Sequence, residues 1–181
     1  QRGLLGDGSQ EAMLIQRYSG NPLALKLVAD TVDEIFGGDI AEFLSEETLV
    51  FDDIRTVLDQ QFARLGALEQ QILFWLAVER EATPIATLRS DLLHSPPQRL
   101  LIETLRSLQH RSLLERVADG FTLQNVVREY LTDRLVEAVS QEIISGELQL
   151  LHHHALIKAQ ATEYVRESQV RVLLAPIGQR L

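Results

Sequence analysis

The chain has 181 residues, 45% of them apolar and 24% charged, with a formal net charge of −9 from 17 basic and 26 acidic side chains. This suits one ordinary domain or two small ones with a real core, and the acidic balance argues against a chain whose main task is gripping nucleic acid. Cysteine is absent, which excludes a disulfide framework and a thiolate zinc site and leads us to expect a cytoplasmic location; no apolar run is long enough to span a bilayer and no signal-peptide pattern opens the sequence.

Residues 1–9 are glycine-rich and read as loose. Gln10 to Tyr18 reads as a short helix carrying Met13, Leu14 and Tyr18. The stretch Ser19-Gly20-Asn21-Pro22-Leu23-Ala24-Leu25 follows, and each residue has a physical task. Asn21 can cap a helix with its side-chain oxygen. Pro22 suits the first helical position, where its missing N–H costs nothing. Gly20 permits a sharp turn and leaves room for close approach. From Pro22 the residues Leu25, Val28, Val32, Ile35 and Phe36 keep a helical period, and Gly37-Gly38 ends that helix. Asp39 with Glu42 reads as a capping box for a short helix through Leu44. After the acidic linker Ser45-Glu46-Glu47-Thr48, Asp52 or Asp53 starts a helix with Ile54, Val57, Leu58, Phe62 and Leu65 inward and Gln61 on its flank, ended by Gly66. These helices form a small module over 10–65.

The pattern then starts afresh. Leu68, Ile72, Leu73, Trp75 and Leu76 read as a core helix. Thr83-Pro84 reads as a cap with Pro at the first helical position, opening a helix with Ile85, Leu88 and Leu92. Ser95-Pro96-Pro97 repeats the device before Leu101, Thr104, Leu105 and Leu108. The period changes at Leu113–Val117, and Ala118-Asp119-Gly120 turns the chain into Phe121-Thr122-Leu123, a β-hairpin on an Asp-Gly turn. Asn125 is expected to cap a long helix to about Ile144, with Val127, Tyr130, Leu131, Leu135, Ala138 and Val139 inward. Three helices, a hairpin and a further helix make a winged-helix pattern over 67–145.

After Gly146, a last helix is expected from Glu147 with Leu148, Leu151, Ala155, Leu156 and Ala159 inward. The extension over 146–181 reads as the start of a next domain. Its tail from Val170 is too apolar for a disordered end and should pack on something, or lie along the last helix. The fold class is mainly α, and both ends read as cut from a longer protein.

Gly20-Asn21-Pro22-Leu23 opening a helical module, and a winged helix whose final helix follows Leu123-Gln124-Asn125, together resemble the NB-ARC region of STAND-class signalling ATPases, in particular the cyanobacterial type that continues into WD repeats. The resemblance covers roughly 10–145. It implies that Gly20, Pro22 and Leu23, matching the family's Gly-x-Pro-Leu, border the adenine and ribose of ADP. The family's Met-His-Asp motif, whose histidine reaches the β-phosphate, falls on Leu123, Gln124 and Asn125; Gln124 departs from it, since a neutral amide supplies no charged donor. A helix N-terminus near Asn125 would still favour a phosphate.

No Gly-x-x-x-x-Gly-Lys-Ser/Thr loop exists in this sequence, and phosphate cradling and magnesium binding need one. The fragment is therefore expected to hold no cofactor by itself, to be no enzyme, and to form the ADP-clamping lid of a regulatory module. ADP or ATP with magnesium is expected in the parent, itself at most a slow ATPase. The implied partners are a P-loop domain and a C-terminal repeat domain of the same chain, with other protomers on activation and no membrane.

The other polar features are read as structural. His152-His153-His154 would point in different directions on a helix and cannot close on one metal ion; they read as a solvated face. His94 and His110 read as structural and Trp75 as core. The alternative function is a DNA-binding winged-helix regulator, in which Arg99, Arg106, His110 and Arg111, against Glu103, would face the duplex from the helix over 97–111. The acidic hairpin tip at Asp119 would meet phosphates badly, which favours packing over DNA reading.

Overall fold

The computed structural model describes residues 5–17, 22–45, 54–158 and 161–181; Gly20, Asn21, Asp52 and Asp53 lie outside them, as do the side chains of Leu23 and Ile54. The chain divides into two compact units, Gln1–Leu65 and Gly66–Leu181.

The first unit holds α1 (Gly8–Arg17), α2 (Pro22–Phe36), α3 (Ile40–Ser45) and α4 (Ile54–Ala63). The expected loose start is corrected over its described part. Asp7 Oδ1 accepts the N–H groups of Ser9 and Gln10, and Gln10 Oε1 accepts the Asp7 N–H in return. This reciprocal cap starts α1 earlier than the apolar pattern shows. Leu5 pairs in parallel with Asp39, its N–H donating to the Gly38 carbonyl at 2.8 Å and its own carbonyl accepting from Ile40 at 3.1 Å.

Helix α2 ends as read, with Gly37 at φ 56° and Gly38 at φ 94°. Asp39 Oδ1 then accepts the N–H groups of Ala41 and Glu42 and caps α3. The expected return half of that box is replaced: the Asp39 N–H donates to the Phe36 carbonyl. Leu27, Val28, Val32, Phe43, Val57 and Leu58 are fully enclosed. Ile35, expected inside, is exposed, whereas Gln61, expected on the flank, is buried and donates to Thr31 Oγ1 at 2.9 Å. Burying its amide requires such a partner.

The second unit is built around α5 (Ala67–Glu79), whose residues Ile72 to Val78 are all buried. Gly66 precedes it, and Glu69 Oε2 accepts the Gly66 N–H. Helices α6 (Ile85–Asp91), α7 (Gln98–His110) and α8 (Asn125–Ser145) pack against α5. Strands β1 (Glu115–Val117) and β2 (Gly120–Thr122) pair antiparallel, with Val117 opposite Gly120.

Three expected caps are corrected. Pro84 and Pro97 occupy the cap positions themselves, and Gln124, not Asn125, caps α8, with no side-chain cap bond in any of the three. Thr83 does something else: its N–H and carbonyl pair with Phe121 at 2.8 and 2.9 Å, adding a third edge to the hairpin. Gly120, at φ 143°, lies so close to this edge that a Cβ would stand 2.3 Å from the Thr83 carbonyl oxygen.

The expected helix from Glu147 is also corrected. Its described residues, 147–158, form turns and coil. They lead to α9 (Glu163–Gln169), a π-helical turn (Val170–Leu174) and α10 (Ala175–Arg180). The π turn and α10 lie against α8 and bury Leu173 and Ile177. Residues 146–181 thus fall within the second unit.

Candidate functional site

The residues singled out from sequence fall into both units. Pro22 is the first residue of α2 and is exposed; Gly20 and the Leu23 side chain lie outside the described residues. Leu23 continues α2 in the backbone.

In the second unit Leu123 is buried, Gln124 half-buried and Asn125 exposed as the first residue of α8. The Gln124 amide is already engaged: Nε2 donates to Glu115 Oε1 on β1 at 2.5 Å. The first turn of α8 holds no acidic residue. Arg128, which sequence reasoning passed over, lies across this start. Its Nη2 donates to Thr122 Oγ1 and the Leu123 carbonyl, both at 3.0 Å, and its Nη1 donates to Asn125 Oδ1 at 3.2 Å. An i, i+3 spacing from Asn125 was the available signal. The junction between β2 and α8 is therefore fixed by a guanidinium, and it places positive charge beside a helix N-terminus.

The expected DNA-facing stripe is partly neutralised. Arg99 Nε pairs with Glu103 Oε1 at 2.8 Å on the surface of α7. His94 and His110, read as structural, are both exposed.

The histidine run differs most from expectation. His154 is buried, its ring 5.8 Å from that of Phe74 and 5.2 Å from that of Trp75. Burial, then the neighbouring His153, pushes its pKa down to about 4, so it is neutral at pH 7. His153 Nδ1 meets the Gln149 carbonyl at 2.7 Å. With Ala67, Gln70, Phe74 and Glu142 these histidines line an open depression of about 260 Å³. Glu142 is occupied there, accepting the N–H groups of Leu150 and Leu151 at 2.5 and 3.2 Å. No group of three potential metal ligands exists among the described residues.

A second polar cluster lies farther along the same coil. Lys158 Nζ pairs with Glu79 Oε1 at the end of α5 and with both carboxylate oxygens of Asp91 on α6, at 3.0 and 3.1 Å. Burial raises the Glu79 pKa against the pull of Lys158. Burial lowers that of Lys158, but bonds to the two carboxylates outweigh it and the net shift is upward. Gln169, fully buried, donates from Nε2 to the Val78 carbonyl at 2.8 Å.

No helix among the described residues is long and apolar enough to cross a membrane. No family model matches the chain, and no solved structure does. A curated relative, an uncharacterized WD repeat-containing protein of the cyanobacterium Nostoc sp., is 42% identical over 95% of this chain. This chain, in turn, spans 16% of that protein's length, so it is similar to one segment of a much longer cyanobacterial WD repeat-containing protein.

Proposed function

We propose that the chain is the helical and winged-helix portion of a STAND-type signalling ATPase, a non-catalytic module that closes over bound ADP and holds the parent protein inactive. The observation that carries this reading is an order. Gly20-Asn21-Pro22-Leu23 leads into α2 with Pro22 as its first residue, and a helical unit follows. After it come three helices, a hairpin edged by Thr83 and a long helix that starts just past Leu123-Gln124. The WD repeat-containing relative fits a parent with a repeat domain in the same chain.

In this reading Gly20, Pro22 and Leu23 border the base and ribose, and Gln124 with the start of α8 lies towards the phosphates. A P-loop domain elsewhere in the parent supplies magnesium and the phosphate cradle. Closure holds the protein off only if the module binds the ADP state better than the open state. The parent would be cytoplasmic.

ADP release from the full-length parent tests this. Gln124→His restores a cationic donor and should slow release by about tenfold, the difference between a neutral and a charge-assisted hydrogen bond. Pro22→Ala should hasten release without unfolding the first unit. Unchanged release in both folded variants removes the nucleotide role.

A further inference from the structure

Three arginines from distant parts of the sequence converge on one end of the second unit. The bond from Gln169 Nε2 to the Val78 carbonyl brings the start of the π turn beside the end of α5. Arg171 and Arg80 each lie two residues beyond that bond. The pairing of Thr83 with Phe121 brings the segment after Arg80 beside β2. From there Arg128 reaches Thr122 and Leu123. The convergence registers electrostatically: after burial itself, the positive charges of Arg128 and Arg171 are the next causes that lower the Arg80 pKa, and they outweigh Tyr164 and the one nearby carboxylate, Glu129, which act the other way.

None of the three arginines forms an ion pair among the described residues. Arg128 Nε is buried without a hydrogen-bond partner. Arg80 also adopts a left-handed backbone, φ 61°, at the end of α5. A helix C-terminus favours one cation there; it does not account for two more in a chain of net charge −9. Gathering like charges at a part-buried site costs free energy that a bound anion would offset.

We propose that Arg80, Arg128 and Arg171 form a binding site for a phosphate-bearing ligand on the second unit; the argument rests on these arginines and not on the nucleotide reading above, although Arg128 stands at the same α8 start. Arg171 is exposed and Arg80 half-buried, so the ligand would enter from the side of the π turn. Guanidinium forks suit the several oxygens of a phosphate better than single ammonium groups would.

The test uses the 181-residue chain with inorganic phosphate and pyrophosphate as probes, at ionic strength matched with chloride. Unfolding is followed as probe concentration rises. At ten times the dissociation constant the folding equilibrium constant of the wild type should rise about tenfold. Arg171→Gln should weaken probe affinity about tenfold, the loss of one charge-assisted bond. Arg99→Gln, a surface change on α7, should leave it intact. Because Arg171 is exposed, its variant should fold normally, and circular dichroism checks this. Phosphate also stabilises proteins generally by exclusion from their surfaces. An equal response in wild type and Arg171→Gln, or no response beyond chloride in the wild type, would overturn the proposal.

Discussion

Residues 66–145 and 146–181 belong to one compact unit but are held by different means. The first stretch is fastened by apolar helix faces: α5, α7 and α8 enclose Ile72, Leu76, Leu101, Leu108, Leu131 and Leu135 almost completely. The second begins as a coil and, besides burying Leu173 and Ile177 against α8, is fastened by polar side chains at three points along α5. His154 sits by Phe74 and Trp75, Lys158 holds Glu79 and Asp91, and Gln169 holds the Val78 carbonyl. Apolar burial is non-directional and tolerates much. Polar anchors need geometry and, for two of these three, a particular charge state. The difference should make the helix faces of the first stretch less responsive to pH than the anchors of the second.

The largest effect expected is a break of the apolar half. Leu73→Ala on α5 should cost about 3 kcal/mol through lost burial and a cavity. The loss should be nearly the same at pH 7 and pH 5 in chemical denaturation. A pH-dependent loss there would blur the contrast between the two stretches.

Acid should act mainly on the polar half. The folded-state pKa of His154 is about 4 against an ordinary 6.5. As pH falls below 6.5 the unfolded chain takes up a proton that the folded chain refuses. The His154 contribution is therefore whole above 6.5 and is lost progressively down to about 4. The shift corresponds to at most about 3 kcal/mol. His154→Phe, which keeps an aromatic ring by Phe74 and Trp75, should flatten this part of the stability profile. An unaltered acid slope in the variant would assign it to other groups.

A smaller effect is expected at the lysine anchor. Lys158→Met removes the cation from two part-buried carboxylates and should cost about 2 kcal/mol at pH 7, discounted for the residual exposure of all three groups. Glu79 already has a raised pKa; without Lys158 it should rise further. The folded variant then binds a proton that the unfolded chain does not, and stability recovers as pH falls through that raised pKa towards the ordinary value. Wild type and variant should thus differ less at pH 5 than at pH 7.

Much of the apolar half is legible in the sequence because its signals are local. The stripe Leu101, Thr104, Leu105 and Leu108 repeats at helical spacing within one helix and is buried in full. The turn Asp119-Gly120 marks the hairpin within three residues of its strands. The polar half is not legible in this way, for the opposite reason. Leu148, Leu151, Ala155 and Leu156 imitate a helical stripe, but the energy of that segment lies in partners 79 and 91 positions away in sequence, Glu79 for Lys158 and Val78 for Gln169. No window along the chain contains both members of such a pair. The same holds at the α8 start, where Gln124 is recognisable by position, while its bond to Glu115 and the guanidinium of Arg128 across the junction depend on the hairpin having folded.

The enclosure of α5 on every side has a consequence for how this unit opens. Amide hydrogens from Ile72 to Val78 can meet solvent deuterium only when the surrounding helices come apart together, so they should exchange at the rate set by global unfolding. Amides of the coil over 147–158 are not bound to that event, because releasing His154 and Lys158 frees them while the faces of α5 against α6, α7 and α8 stay covered. Two exchange regimes should coexist in one compact body, and mild acid should accelerate only the faster. Full detachment of the C-terminal stretch asks more, since Leu173 and Ile177 must also leave α8.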